Sequence, residues 1–292
     1  SSFWNSSDAE NWNNYPSNSA LNFFSGIWGY NSNDIWAVGN NTYGSTFVHW
    51  EGNAWREVTS GTSNQLFSIW GSAPSTSENA IWAVGEYGTD LKWQDGHWVS
   101  AIPASSAIEN LLDAWGSGPN DIWAVGQGGI IHWNGIQWSS VLANTSLNGI
   151  WGIDASHVWA AGANGTILSW DGLNWNSIVT GTTNYLYDVW AFATNNVWVV
   201  GGGGMTLHYD GSKWTQISAG TPDDLVGVWG SGPSDVWAVS NKGSIMHLDN
   251  SGTWSLGAAL LGPFQGIWGS GAADVWLVGT DPAQAGQGIF YR

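Results

Sequence analysis

A chain of 292 residues carrying 26 tryptophans, 41 glycines, 9% charged residues and a formal charge of −17 is narrow in its chemistry. Its five cations, Arg56, Lys92, Lys213, Lys242 and Arg292, are too few to neutralise phosphates, which excludes nucleic acid and anionic membranes as partners. The lack of cysteine excludes disulfides and thiolate–metal chemistry, and no apolar run approaches the ~20 residues of a membrane-spanning helix.

The chain starts at Ser1 with no Met or signal-like segment, so a leader is expected to have been removed or to lie outside the sequence. Low charge, an acidic balance and abundant Ser, Thr and Asn give the expectation of a secreted or cell-surface protein. Asn-x-Ser/Thr sequons begin at Asn5, Asn40, Asn144 and Asn164.

One unit recurs from residue 21 onward, and Ala114 to Trp138 shows it whole. An apolar run closes at Trp115, Gly116 to Asp121 turns, and Ile122 to Val125 is a second run of β formers. Gly126 to Gly129 turns again, Ile130 to Trp133 follows, and Asn134-Gly135 makes a hairpin into Trp138. First-strand tryptophans recur at Trp28, Trp70, Trp115, Trp151, Trp190, Trp229 and Trp268, second-strand ones at Trp36, Trp82, Trp123, Trp159, Trp198, Trp237 and Trp276. Third-strand positions are Trp50, Trp93, Trp133, Trp170, Tyr209, Leu248 and Tyr291, and fourth-strand tryptophans are Trp55, Trp98, Trp138, Trp175, Trp214 and Trp254.

Units therefore start near 21, 63, 108, 144, 183, 222 and 261, and the seventh lacks a fourth strand. Asp8 to Trp12 matches Asp210 to Trp214, so residues 1–20 are expected to supply it. A repeat of ~40 residues and four strands, with one unit shared between the termini, predicts an all-β, seven-bladed β-propeller of antiparallel sheets spanning 1–292 as one domain. The second-to-third turns and the links between blades differ from blade to blade, and variable loops on a rigid frame are the expected functional ground.

A tryptophan at the same offset in every blade reads first as packing between blades. His49, His132, His208 and His247 precede the third-strand aromatic position, too far from the axis to meet; they read as polar cover, with no metal assigned. Two residues before each first-strand tryptophan stand Gly26, Ser68, Asp113, Gly149, Asp188, Gly227 and Gly266. Asp113 and Asp188 break that series and are the polar candidates for the central channel. Asp223-Asp224 reads as a solvated acidic turn. No Gly-x-Ser-x-Gly elbow, phosphate loop or His-Glu-x-x-His is present, and no cofactor is implied.

The turn sequences Asp95 to Trp98, Asp171 to Trp175 and Asp249 to Trp254 resemble the Asp-box, and the whole repeat resembles Trp-rich propellers of the tectonin and BNR-like kind. Sialidases with Asp-boxes grip a substrate carboxylate with three arginines; two are present here, which argues against that chemistry. What the resemblance implies is a non-enzymatic lectin, multivalent for neutral glycans or glycoconjugates, with oligomers possible and no catalytic residues. The expected ligand-binding residues are Trp4, Tyr43, Tyr87, Gln127, Asn148, Asn164, Asn184, Tyr187 and Asn241. A protein-interaction scaffold on the same face is the alternative. A polysaccharide-cleaving enzyme using Asp113 and Asp188 is the third reading.

Overall fold

The computed structural model describes residues 12–13, 23–41, 44–72, 80–100, 110–260, 262–282 and 287–292. Phe23–Asn31, Asp34–Asn41, Gly44–Trp50 and Trp55–Thr59 pair in that order as the first blade. Five further blades repeat the four-stranded meander, and the seventh shows Phe264–Gly271, Asp274–Asp281 and Gln287–Tyr291. The first strand of each blade is innermost and touches the first strands on either side, so seven of them wall a central channel. The expected seven-bladed all-β propeller is what the chain forms.

Strand register sets the tryptophans in pairs. Trp28 lies opposite Trp36, Trp123 opposite Trp115, and Trp50 opposite Trp55. Each second-strand indole then reaches into the next blade: Trp36 lies 5.0 Å from Trp93 and 5.8 Å from Trp98, and Trp82 5.3 Å from Trp133 and 5.6 Å from Trp138. The fourth-strand partner is met edge-on, at 86° for Trp36–Trp98 and 89° for Trp55–Trp276, the geometry that matches the positive rim of one ring to the negative face of another. No described tryptophan is exposed. These residues are the frame.

The first-strand tryptophans pack by a different rule. A methyl group on Gly71 would fall 2.5 Å from the Trp28 ring, and one on Gly152 2.6 Å from Trp115. The residue after each first-strand tryptophan must therefore be glycine so that the indole of the preceding blade can lie on its backbone. Blade 5 departs, with Ala191 in that place. Trp151 of blade 4 stacks on Trp190 instead, at 4.0 Å and 26°, and Phe192 takes the place against Gly230 that Trp190 would have filled.

The join between the termini is visible in two residues. Asn13 and Arg292 exchange both backbone hydrogen bonds at 3.1 Å, and Trp12 meets Trp237 edge-on at 81°. Trp12 thus occupies the fourth-strand place, while the remainder of 1–20 lies outside the described residues. Tyr291, however, is not the third-strand aromatic. It pairs with Leu277, as Val48 pairs with Ala37, so the register is two residues out from the expected one. Arg292 consequently holds the place that His49 holds in blade 1, with its guanidinium 5.1 Å from the Trp276 ring.

Replacing Gly71 by alanine forces a methyl into the Trp28 indole and is expected to lower stability by about 1–3 kcal/mol. Gly118→Ala, where nothing lies within 4 Å, should stay within about 0.5 kcal/mol of the parent. Denaturant midpoints of the two variants check the pair.

Candidate functional site: the channel and its loop face

Each inner strand runs from the loop face, where the links between blades arrive, toward the face of the first-to-second turns. Inside the ring a cavity of about 380 Å³ opens on the loop face, and a second of about 660 Å³ lies at the other end, among Trp28, Trp70, Trp115 and Trp151. At the loop-face mouth, three residues before each first-strand tryptophan, the repeat gives up its consensus. The seven blades place Ser25, Phe67, Leu112, Asn148, Tyr187, Val226 and Gln265 there.

Asp113 and Asp188 sit just below that rim, as expected for channel residues. Asp113 accepts Ser68 Oγ at 2.7 Å, its neighbour Ala114 N at 2.9 Å and, from the next blade, Ile150 N at 2.8 Å. Asp188 accepts Val189 N at 2.8 Å and Val228 N of the next blade at 2.9 Å. Each carboxylate therefore bridges its own inner strand to the next one. The strand that receives it carries glycine at the aligned position, Gly149 and Gly227 respectively.

Both acids line the channel and are half-buried there. Loss of hydration raises both carboxyls above the ordinary range, and the charge of Asp113 raises Asp188 further. No described hydrogen bond joins the two acids directly.

The histidines prove to be more than polar cover. His49 and His132 stack on Trp36 and Trp123 at 4.1 Å and bond Asp34 and Asp121 at 2.7 and 2.6 Å. His247 repeats this with Trp237 and Asp235 and is itself buried, and His208 does so with Trp198 and Asn196. Arg292 closes the set, with Asp274 at 2.6 Å. Burial works to raise Asp121 and Asp235, but hydrogen bonds from the histidine rings and from serine hydroxyls outweigh it and hold both below the usual carboxylate range. The clamp ties the start of the second strand to the end of the third. Among the described residues no group of three His, Asp or Glu side chains is placed to hold a metal ion.

On the loop face the expected residues fall into three places. Tyr87, Gln127 and Asn110 form one corner: Asn110 Oδ1 accepts Tyr87 N at 3.2 Å, and Asn110 Nδ2 donates to Gln127 Oε1 at 3.4 Å. Asn164 is exposed at the tip of its turn, whose Gly165 N donates to Asn184 O at 2.8 Å. Asn184 thus sits between blades 4 and 5, its Nδ2 donating to Gly202 O at 3.3 Å. Tyr187 and Asn241 lie toward the junction of blades 5 and 6, beside Tyr185 and Asp224, which the sequence did not single out as ligands. Asn148 lies on an inner strand rather than a loop, with Nδ2 held by Leu186 O at 2.7 Å. Trp4 and Tyr43 lie outside the described residues.

The acidic turn is also not merely solvated. Asp224 Oδ1 accepts Gly203 N at 2.9 Å, and Asp223 holds Ser244 Oγ at 3.0 Å and Lys242 Nζ at 3.3 Å. Of the sequons, Asn40 is fully buried, bonded through Nδ2 to Leu66 O and through Oδ1 to Leu66 N; Asn144 and Asn164 are exposed.

Tyr87 is the loop residue whose backbone is least expected. It has φ of +55°, the left-handed region, in the turn position that blades 4 and 5 give to Asn164 and Gly203. A bulky residue is rare in that region and pays for it in strain. Its ring is nonetheless 77% exposed, so packing does not explain its presence.

Asp90 is a second residue that sequence reasoning passed over. It occupies the third-strand place filled by Phe47, Ile130 and Ile167 in other blades, is 2% exposed, and accepts Trp138 Nε1. The signal was a charged residue in an apolar column. Burial raises its carboxyl to about 7, partly offset by the Trp138 bond.

No protein-family model and no curated protein matches the sequence. Solved structures match the fold. YCF48 from Cyanidioschyzon merolae superposes with a TM-score of 0.74 at 16% identity, over 96% of this chain and 98% of that one. The WD40 propeller domain of Doa1 gives 0.74 at 8% identity over 95% of each chain. Virginiamycin B lyase from Staphylococcus aureus gives 0.75 at 12% identity over 96% and 98%. At these identities the likeness is one of architecture, and it does not single out the tectonin or Asp-box propellers.

Two predictions follow from these geometries. Because the folded Asp90 binds its proton more tightly than the unfolded chain does, stability falls as pH rises from the ordinary carboxylate value of 3.8 through about 7. Asn can keep the Trp138 bond through its carbonyl oxygen. Asp90→Asn should therefore remove ~2–4 kcal/mol of the loss between pH 4 and pH 8, read from denaturation at each pH. Tyr87→Gly, by relieving the left-handed strain, should raise stability by about 1 kcal/mol, seen as an upward shift in Tm.

Proposed function

We propose that the protein is a non-catalytic binding scaffold that takes a polypeptide segment across the channel mouth on its loop face. Tyr87 carries this reading. An exposed aromatic kept in a strained backbone position, where a sister blade uses glycine, points to selection by a partner rather than by stability. Tyrosine is also among the side chains that dominate protein interfaces. The rim offers Phe67, Leu112 and Tyr187 among polar neighbours, a mixture suited to an extended chain.

The inner carboxylates support a non-catalytic role, since every one of their oxygens is bonded to a backbone amide and each carboxylate ties one inner strand to the next. Among solved propellers of this shape, YCF48 has been captured bound to D1 peptide, at a TM-score of 0.74. This favours a polypeptide as the class of ligand.

Neutral glycans are the second reading, favoured by the Tyr87 face beside the amides of Asn110 and Gln127. It loses the tryptophan platforms that first suggested it, because every described one is buried or half-buried in the packing between blades. A secreted or cell-surface location fits either ligand.

Selection from a displayed random-peptide library, run beside an array of neutral glycans, separates the two. Peptides are expected to bind, and Tyr87→Ala to weaken them about tenfold or more, as loss of an interface hot spot does. Glycan binding without peptide binding would reverse the order of the readings.

A further inference from the structure

The junction of blades 5 and 6 holds a combination found nowhere else among the described residues of the loop face: two tyrosines beside a carboxylate that has no cationic partner. Tyr185, 54% exposed, and Tyr187, half-buried at the channel rim, present nearly parallel rings 6.3 Å apart at 25°. Asp224 comes from the link into the next blade. One of its oxygens accepts Gly203 N at 2.9 Å, and the other has only the long 3.5 Å approach of Asn241 Nδ2. A carboxylate accepts up to about four hydrogen bonds, so much of its capacity is unused.

The charges around it are accounted for. Lys242 is the cation on this corner, and it is held by Asp223 at 3.3 Å, together with Ser244 Oγ. Glu86, across the mouth on blade 2, is turned onto Gln65 N at 3.0 Å. Asp224 stands close enough to Tyr187 for its charge to add to burial in raising the phenol above its ordinary range. The whole chain carries −17, so a cation approaching the mouth is drawn in from a distance.

We infer that the partner polypeptide enters this corner with a basic side chain, arginine above all, its cation lying against Tyr185 and Tyr187 and bonded to Asp224. This rests on the polypeptide reading above and names the chemistry of its anchor. A guanidinium stacks on aromatic faces and meets a carboxylate with two parallel N–H donors, so both halves of the corner are used by one group. Lysine supplies the charge without the planar fork and binds more weakly. Citrulline keeps the planar shape but exchanges one NH2 donor for a carbonyl oxygen and loses the charge.

The probes are degenerate octapeptide libraries with one fixed position, arginine in the first, lysine in the second and citrulline in the third, measured for binding to the full chain at low and high salt. The arginine library is expected to bind about tenfold more tightly than the citrulline library, with the gap closing as salt screens it. Asp224→Asn and Tyr187→Leu should each erase the preference. Tyr185→Ala, at an exposed position that folding does not need, should reduce it. Leu173→Ala, on an 81% exposed turn of the opposite face, should leave it intact. Equal binding of the arginine and citrulline libraries, or a preference that survives both Asp224→Asn and Tyr185→Ala, overturns the inference while leaving the polypeptide reading in place. Binding of none of the libraries overturns the reading itself.

Discussion

The indole of one blade lying on the bare backbone of the next is the contact on which this propeller depends. It requires two residues in sequence, tryptophan and then glycine, and it recurs between Trp28 and Gly71, Trp70 and Gly116, Trp115 and Gly152, Trp229 and Gly269, and Trp268 and Gly29. Outside it, a second layer of indoles from second, third and fourth strands interlocks the same neighbours. The acids and amides of the inner wall add a third tie, polar rather than apolar, at the crossings from blade 3 to 4 and from blade 5 to 6. A ring closed this way has no free inner edge, and its chain ends join through Asn13 and Arg292.

Such a frame leaves little room for function within the blades. Tryptophan, the residue that most suggests a sugar platform, is spent on packing, and the histidines on clamping strand ends. What remains is the face where the links and second-to-third turns emerge, whose residues follow no repeat. There the backbone carries strain at Tyr87, and Asp224 has no counter-charge. The same region adjoins the one place where the tryptophan–glycine rule lapses: Ala191 diverts Trp151 and Trp190 into a stack beneath Tyr187. The departure of the frame thus adjoins the Tyr185, Tyr187 and Asp224 corner, while Tyr87 stands on blade 2.

The fold was legible because its signal is repeated seven times. Blade number, strand count, the inner position of the first strand and the role of Trp12 all followed from spacing. Tyr291 misled because its aromatic ring imitates the repeat while the register runs two residues further, which only strand pairing reveals. Asp113 and Asp188 were visible as breaks in a column of small residues, though their bridging to the next blade's amides was not. Asp223 and Asp224 looked like a solvated turn because their partners, Gly203 and Lys242, lie on a different loop. Tyr185 was missed because its place, five residues before the first-strand tryptophan, is filled differently from blade to blade, and only the folded ring brings it beside Asp224.

The most direct test is a side-chain accessibility footprint of the intact protein with and without a bound peptide, using a reagent that modifies both tyrosine and tryptophan. Tyr87 and Tyr185 are expected to react strongly in the free protein and to become protected on binding, with Tyr187 following to a smaller extent. The tryptophans of the frame should react little in either state. Protection centred on tryptophans, with Tyr87 and Tyr185 unchanged, would contradict the division between frame and binding face on which the whole account stands.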